Sequence, residues 1–244
     1  MCNLASDITI ILRSVGERTE KVCYDILSQE VPESNIVVIR NLPLKESTVE
    51  LCKEALIHGR KYVITIGADY IPERGMVRAM WNLAESMAGN WMFVKGVIDD
   101  KFMMELRGDS GGPMLYPLEI LRGWSEILPT IDNEVTTEAS CQKHYREKGY
   151  RELRSKILLA KHDYEQHYHD IYRCMFVYGK KHRKIERILD RWGQLALYDK
   201  DFEVAYYAYK KGRAYKGEVK ADFREDYGFK DSPFKDWVKD DYHG

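Results

Sequence analysis

The chain has few cysteines, no excess of one charge and no long apolar run, and each of these absences removes a class of protein. Its five cysteines, Cys2, Cys23, Cys52, Cys141 and Cys174, are odd in number and widely spread. None stands in a C-x-x-C pair, so neither a disulfide framework nor a zinc knuckle is implied, and reduced, mostly packed thiols in a cytoplasmic protein are expected. Lysine and arginine number 38 against 39 aspartates and glutamates, which leaves no global field to attract nucleic acid. The local basic run Lys180-Lys181-His182-Arg183-Lys184 reads as a solvated helix face. No apolar run approaches the roughly 20 residues that span a membrane. The segment ITIIL near the amino terminus is too short for a secretory signal and is flanked by Asp7 and Arg13. Any membrane contact is therefore expected to be peripheral. There is no internal repeat.

What the chain does contain is an alternation of strand-like apolar runs and helix-like periods. With 44% apolar residues over 244 positions, it is long enough for one large domain or for a domain with an extension. Ile8 to Leu12 is a continuous β-branched run of the kind that forms a buried parallel strand. Ser14-Val15-Gly16-Glu17 follows with turn chemistry, Thr19 stands where a helix cap belongs, and Val22, Cys23, Ile26 and Leu27 recur at helical spacing. Ile36 to Ile39 is the next strand, Ser47 or Thr48 caps a second helix to about His58, and Tyr62 to Ile66 is a third strand. Pro72-Glu73 reads as the first turn of a helix to about Met87. Trp91 to Ile98 reads as a strand, Phe102 to Leu106 as a short one, and a later helix runs to Gly149. Strands alternating with helices predict an α/β domain, a mostly parallel sheet flanked by helices, over residues 1–150. From 151 to 244 the composition turns to Tyr, Lys, Arg and His, with helical spacing through Ile185, Ile188, Leu189, Trp192 and Leu195. That predicts a helical carboxyl-terminal extension packed on the first domain.

In Lys61 to Gly75, KYVITIGADYIPERG, an apolar strand runs straight into a carboxylate, Asp69. Ligands of open α/β sheets bind outside the carboxyl ends of the strands. Asp69 therefore stands where a nucleotide, a phosphate or a metal is handled, with capping of the following helix as its alternative role. Arg13, Ser14 and Glu17 follow the first strand in the same way, and Arg40 or Asn41 follows the second. Each is placed for a nucleobase and ribose, or for ordinary turn chemistry. Glu138, with Glu134 one helical turn before it and Asp132 close by, offers a general base or an acid at a helix N-terminus. Asp99 and Asp100 either orient a sugar hydroxyl or make a solvent-facing turn. His162, His167 and His169 do not share one line on a helix, which argues against a zinc site. Gly108-Asp109-Ser110-Gly111-Gly112-Pro113 spells the nucleophile motif of chymotrypsin-like serine proteases. The α/β alternation excludes the double β-barrel that this mechanism needs, and the one preceding histidine, His58, falls in a helical segment. The loop of Asp109, Ser110, Gly111 and Gly112 is read instead as flexible backbone that closes on a sugar.

The order of strand, R-S-V-G-E-R loop, helix, N-I-V-V-I-R strand, helix and K-Y-V-I-T-I-G-A-D-Y resembles glycosyltransferases of the GT-A fold, especially the broad glycosyltransferase family 2. In that family an aspartate-any-aspartate motif holds a divalent metal on the donor diphosphate. Here the motif reads Gly67-Ala68-Asp69, with the first acid missing. The glycine-rich loop with M-L-Y-P-L-E-I-L is similar to the family's acceptor-side loop. E-V-T-T-E-A-S-C-Q-K-H-Y-R-E-K-G-Y looks like the helix that opens with the catalytic acid, which puts Glu138 near that slot with Asp132 and Glu134 as competitors. L-L-A-K-H-D-Y-E-Q resembles a segment that offers a histidine, here His162, to the metal or diphosphate. The resemblance covers about the first two-thirds of the chain and rests on the order of its motifs. It implies a base-assisted, inverting transfer from a nucleotide-diphosphate sugar to a hydroxyl of a glycan or other acceptor, as in polysaccharide biosynthesis. It also implies manganese or magnesium held by Asp69 and His162.

Two other readings stay open. A sugar nucleotidyltransferase usually carries a glycine-rich loop with a lysine after the first strand, which R-S-V-G-E-R lacks. A non-catalytic nucleotide- or glycan-binding module would explain the degenerate metal motif. The stretch Tyr198 to Tyr215 suits either an acceptor glycan or the surface of a homo-oligomer.

Overall fold

The computed structural model of the protein describes residues 4–103, 105–107, 112–131, 137–181, 185–220, 222 and 224–240. After a short helix, Leu4–Asp7 (α1), the strand Ile8–Ser14 (β1) pairs in parallel with Ile36–Arg40 (β2) on one side and with Tyr62–Gly67 (β3) on the other. The crossovers are Glu20–Ser28 (α2) and Leu44–His58 (α3). Both faces of β1 are buried, which is why it is apolar without alternation. Ile8, Ile10 and Leu12 pack on one face with Leu27 and with Met76 and Met80 of Met76–Ser86 (α4). Ile11 packs on the other face with Leu51 of α3, Trp124 of Leu118–Ile127 (α5) and Cys141 of Thr137–Glu147 (α6).

Beyond β3 the sheet is mixed, where the sequence predicts it mostly parallel. Tyr70–Pro72 (β4), Trp91–Asp100 (β5), Glu105–Arg107 (β6), Met114–Pro117 (β7) and Arg151–His162 (β8) complete it in the order β2-β1-β3-β7-β5-β8-β4, with β6 pairing on β5. β7 runs antiparallel to both β3 and β5, and β8 runs parallel to β5. Among the described residues no helix lies between β5 and β7, and the chain returns antiparallel without a crossover.

Three local expectations change for identifiable reasons. Residues 151–162, expected to open a helical extension, form β8. Their charges disguise a strand whose Leu153, Leu159 and Ala160 are buried. Pro72 ends the edge strand β4, where a proline removes no interior ladder bond, and α4 begins at Met76 with its first amides held by the carboxylate of Glu30 at 2.9 and 3.3 Å. Pro43, not Ser47 or Thr48, precedes α3, and Thr48 Oγ1 donates back to the Leu44 carbonyl at 2.8 Å.

The third core is helical and aromatic. Tyr168–Lys181 (α7), Glu186–Leu195 (α8) and Lys200–Ala214 (α9) bury Tyr172, Phe176, Trp192, Phe202 and Tyr209, together with Phe102 from the sheet side and Phe234 from the tail. α7 and α9 meet backbone to backbone: a Cβ at Gly179 would overlap the Tyr209 carbonyl, and one at Gly212 that of Phe176. No helix among the described residues is long and apolar enough to cross a membrane. Cys23, Cys52, Cys141 and Cys174 are free, and the first three are buried.

Candidate active site

Because β7 reverses direction against both neighbours, β1, β2, β3, β5 and β8 all turn their carboxyl ends to one edge. The chain leaves β3 at Gly67, passes Asp69 and doubles back as β4, whose Tyr70 is registered against His162 at the end of β8. β5 ends beside it, with Asp100 also opposite His162. Strand register thus places three carboxylates around one imidazole. His162 Nε2 lies 3.3 Å from Asp69 Oδ2, and its Nδ1 lies 3.1 Å from Asp100 Oδ2 and 3.5 Å from Asp163 Oδ2. The ring stacks on Tyr70 with centroids 4.3 Å apart. Side-chain exposure is 31% for Asp69, 19% for His162, 10% for Asp163 and 7% for Asp100.

These environments set the charges. Burial works against the imidazolium, but Asp163, Asp100 and Asp69 outweigh it and hold His162 well above its ordinary range. Burial also opposes the Asp69 carboxylate, yet His162 and Arg13 hold it below the usual value. Asp163 is pushed up to about 7, first by burial and then by Asp69 and Asp100, against the pull of His162. Asp163 also stands at φ 59, in the left-handed region that non-glycine residues seldom occupy, where the chain turns out of β8. Asp69, His162 and Asp163 each offer an atom within 4.8 Å of the others, a group that could hold a metal ion. Gly67, where the family's first aspartate is expected, is filled from elsewhere: a Cβ there would overlap Asp69 Oδ1. The alternative role of Asp69 as a helix cap is taken by Glu30.

Asp69 and Tyr70 line a cleft of about 360 Å³ together with Arg13, Ser14 and Glu17 from the end of β1, Thr65 and Gly67 of β3, Gly112, and Glu138 in the first turn of α6. Arg13 Nη1 donates to Glu138 Oε1, closing an ion pair between the two. Burial opposes the Arg13 charge, and Glu138 more than restores it. Glu17 accepts from Ser14 Oγ at 2.8 Å and from the Val15 amide at 2.7 Å, while burial and then Asp69 raise its carboxyl above the ordinary range. Arg40 is turned away, with its guanidinium 2.6 Å from Glu20 on the surface. Asp132, Glu134, Asp109, Ser110 and Gly111 lie outside the described residues.

Asp100, Asp163, Tyr70, Thr65 and Arg173 join the site without having been singled out for it by the sequence, apart from the sugar-orienting role weighed for Asp100. Asp163 had one signal, its adjacency to His162 in the K-H-D-Y segment. Arg173 and Cys174 come from α7 and close the cleft from the helical side. Tyr164 donates to Asp99 at 3.2 Å, tying the loop after β8 to the end of β5. A larger concavity, about 710 Å³, lies on the helical layer beside Phe176, Lys211, Tyr215 and Tyr227, away from the strand ends.

No protein-family model matches the chain, and no curated protein sequence does. Among solved structures it is similar to 4-diphosphocytidyl-2C-methyl-D-erythritol synthase from Anaerococcus prevotii, 11% identical over 66% of this chain and 89% of that one, with a TM-score of 0.46. It is similar also to a cytidylyltransferase from Leptospira borgpetersenii, at 10% identity, 82% and 97% coverage and a TM-score of 0.41. A third is a glycosyltransferase involved in the glycosylation of the major capsid of PBCV-1, at 11% identity, 64% and 92% coverage and a TM-score of 0.40. Each is a likeness of fold alone.

Proposed function

We propose that the protein is a glycosyltransferase that moves a sugar, with inversion, from a nucleotide-diphosphate donor to an acceptor hydroxyl. The observation that carries this reading is the gathering of Asp69, His162 and Asp163 at the carboxyl ends of β3 and β8, beside a cleft that also holds Arg13, Glu17 and Glu138. Two carboxylates and an imidazole suit manganese, and the carboxylates also suit magnesium. Bound there, the ion would supply charge stabilisation to the departing diphosphate. Arg13, Ser14 and Glu17 receive the nucleoside at the end of β1. Glu138 accepts the proton of the acceptor hydroxyl while that oxygen bonds to the anomeric carbon. The anomeric C–O bond to the diphosphate breaks with its electron pair leaving on the phosphate oxygen. Arg13 fixes one Glu138 oxygen and so aims the carboxylate into the cleft.

The test is incubation with UDP, GDP, CDP and dTDP sugars and manganese, following free nucleoside diphosphate. One donor is expected to be hydrolysed slowly without acceptor, and Asp69→Asn or chelation should lower that rate about 100-fold or more. Nucleotide binding that never leads to turnover would leave a binding module instead.

A second reading, sugar nucleotidyl transfer, is favoured by the closed Arg13–Glu138 pair. An attacking sugar phosphate is already an anion, so it needs no carboxylate base, and Arg13 could neutralise the triphosphate. The products separate the two: pyrophosphate from a nucleoside triphosphate, or nucleoside diphosphate from a nucleotide sugar.

A further inference from the structure

Seven buried side-chain nitrogen or oxygen atoms lack a hydrogen-bond partner among the described residues, and three of them, Arg13 Nε, Thr65 Oγ1 and Arg173 Nε, belong to residues on the wall of the cleft. Buried polar groups are ordinarily satisfied, so a concentration of orphans at one cavity points to a ligand that completes them. The three differ in charge balance. Thr65 is neutral, and Arg13 is closed on Glu138. Arg173 reaches Asp170 Oδ1 only at 3.5 Å, the outer limit of a hydrogen bond, and Asp170 Oδ1 is shared with His169 Nε2 at 3.3 Å. The Arg173 side chain is 18% exposed, so water does little to compensate it. A guanidinium that is largely buried and weakly paired is costly unless an anion arrives.

Position says which anion. Arg173 projects from the first helix after the His162–Asp163 turn, and the close backbone packing of α7 on α9 at Gly179 and Gly212 fixes that helix. It lines the cleft together with Asp69, but from a helix and not from the sheet. We infer that Arg173 is an anion clamp supplied by the helical layer, which grips the diphosphate of the nucleotide as Asp69 and His162 approach it from the sheet. This rests on the nucleotide reading of the cleft. A planar guanidinium presents parallel donors that match two phosphate oxygens, whereas a lysine offers only a point charge. The helical layer thereby becomes part of the binding site, and the diphosphate is held between two cores.

The experiment is titration calorimetry with UDP, GDP, CDP and dTDP, and with the corresponding nucleosides, in manganese, on the wild-type chain, Arg173→Ala and Arg173→Lys. Free nucleoside diphosphates carry no donor sugar beyond the ribose, so a carboxylate on an acidic donor sugar cannot produce the effect. For the nucleotide that wild type binds, Arg173→Ala should weaken diphosphate affinity about 10- to 100-fold and leave nucleoside affinity unchanged. Arg173→Lys should show a smaller loss in the same direction. Melting of each variant without ligand checks its fold, and if the alanine variant does not fold, the lysine variant carries the comparison. Equal diphosphate affinity in wild type and variants, or an equal loss for diphosphate and nucleoside, overturns the inference alone. Failure of wild type to bind any of the four nucleotides overturns the nucleotide reading, and the inference with it.

Discussion

On one wall of the cleft Arg13 and Glu138 pair as equal and opposite charges, whereas beside the other wall a single imidazole, His162, faces Asp69, Asp100 and Asp163. The first arrangement is balanced in charge. The second remains negative even with the imidazole protonated, and it lowers that excess by letting Asp163 keep a proton up to about pH 7. A divalent cation would serve the same purpose better, since oxygen donors that repel one another are what it binds. The difference is one of charge: one wall is neutral, and the other carries an excess that a cation would offset.

The comparison breaks most visibly if His162 is removed. His162→Ala leaves the carboxylates at the ends of β3, β5 and β8 facing one another, and we expect about 3 kcal/mol less stability in urea at neutral pH. An unchanged unfolding midpoint would show that the imidazole does not hold those strand ends. The neutral wall should respond less. Arg13→Met and Glu138→Gln are each expected to cost about 1–2 kcal/mol, with the double variant costing about 1 kcal/mol less than their sum because either change alone already breaks the pair. Simple additivity in that cycle would mean that the pair contributes no coupling. Glu17, between the walls, gives the smallest effect. Its folded carboxyl titrates above the ordinary value, so the folded chain holds that proton longer than the unfolded one. Stability should therefore fall as pH rises from about 4.5 through the raised value. Glu17→Gln should flatten that part of the melting-temperature profile, and an identical slope in the variant would assign it to other groups.

The half of the fold from β1 to β3 could be read from the sequence because each strand is a continuous apolar run, with β1 and β3 buried on both faces, and is separated from the next by a helix. The place of Asp69 and of the β1 loop at the carboxyl ends of strands was legible for the same reason. The other half was not legible. β4 and β7 are three and four residues long, too short for a period to declare itself. β8 carries arginines and lysines on its exposed side, with register shifts against β5. His162 was found through its resemblance to a motif, but Asp163 and Asp100 were assembled with it by register, which a linear pattern does not display. Arg173 was hidden differently: nothing in helical spacing tells which face of α7 meets a cleft lined also by residues of β1, β3, β7 and α6.

Gly67 leaves one consequence for how such chains are recognised. Read along the sequence, Gly67-Ala68-Asp69 is a motif that has lost its first acid. In space Asp69 meets His162, 93 residues away in the chain, and the room at position 67 is taken by the Asp69 carboxylate itself. An aspartate at that position would restore the familiar spelling and require the Asp69 side chain to turn aside, away from the arrangement it now holds with His162.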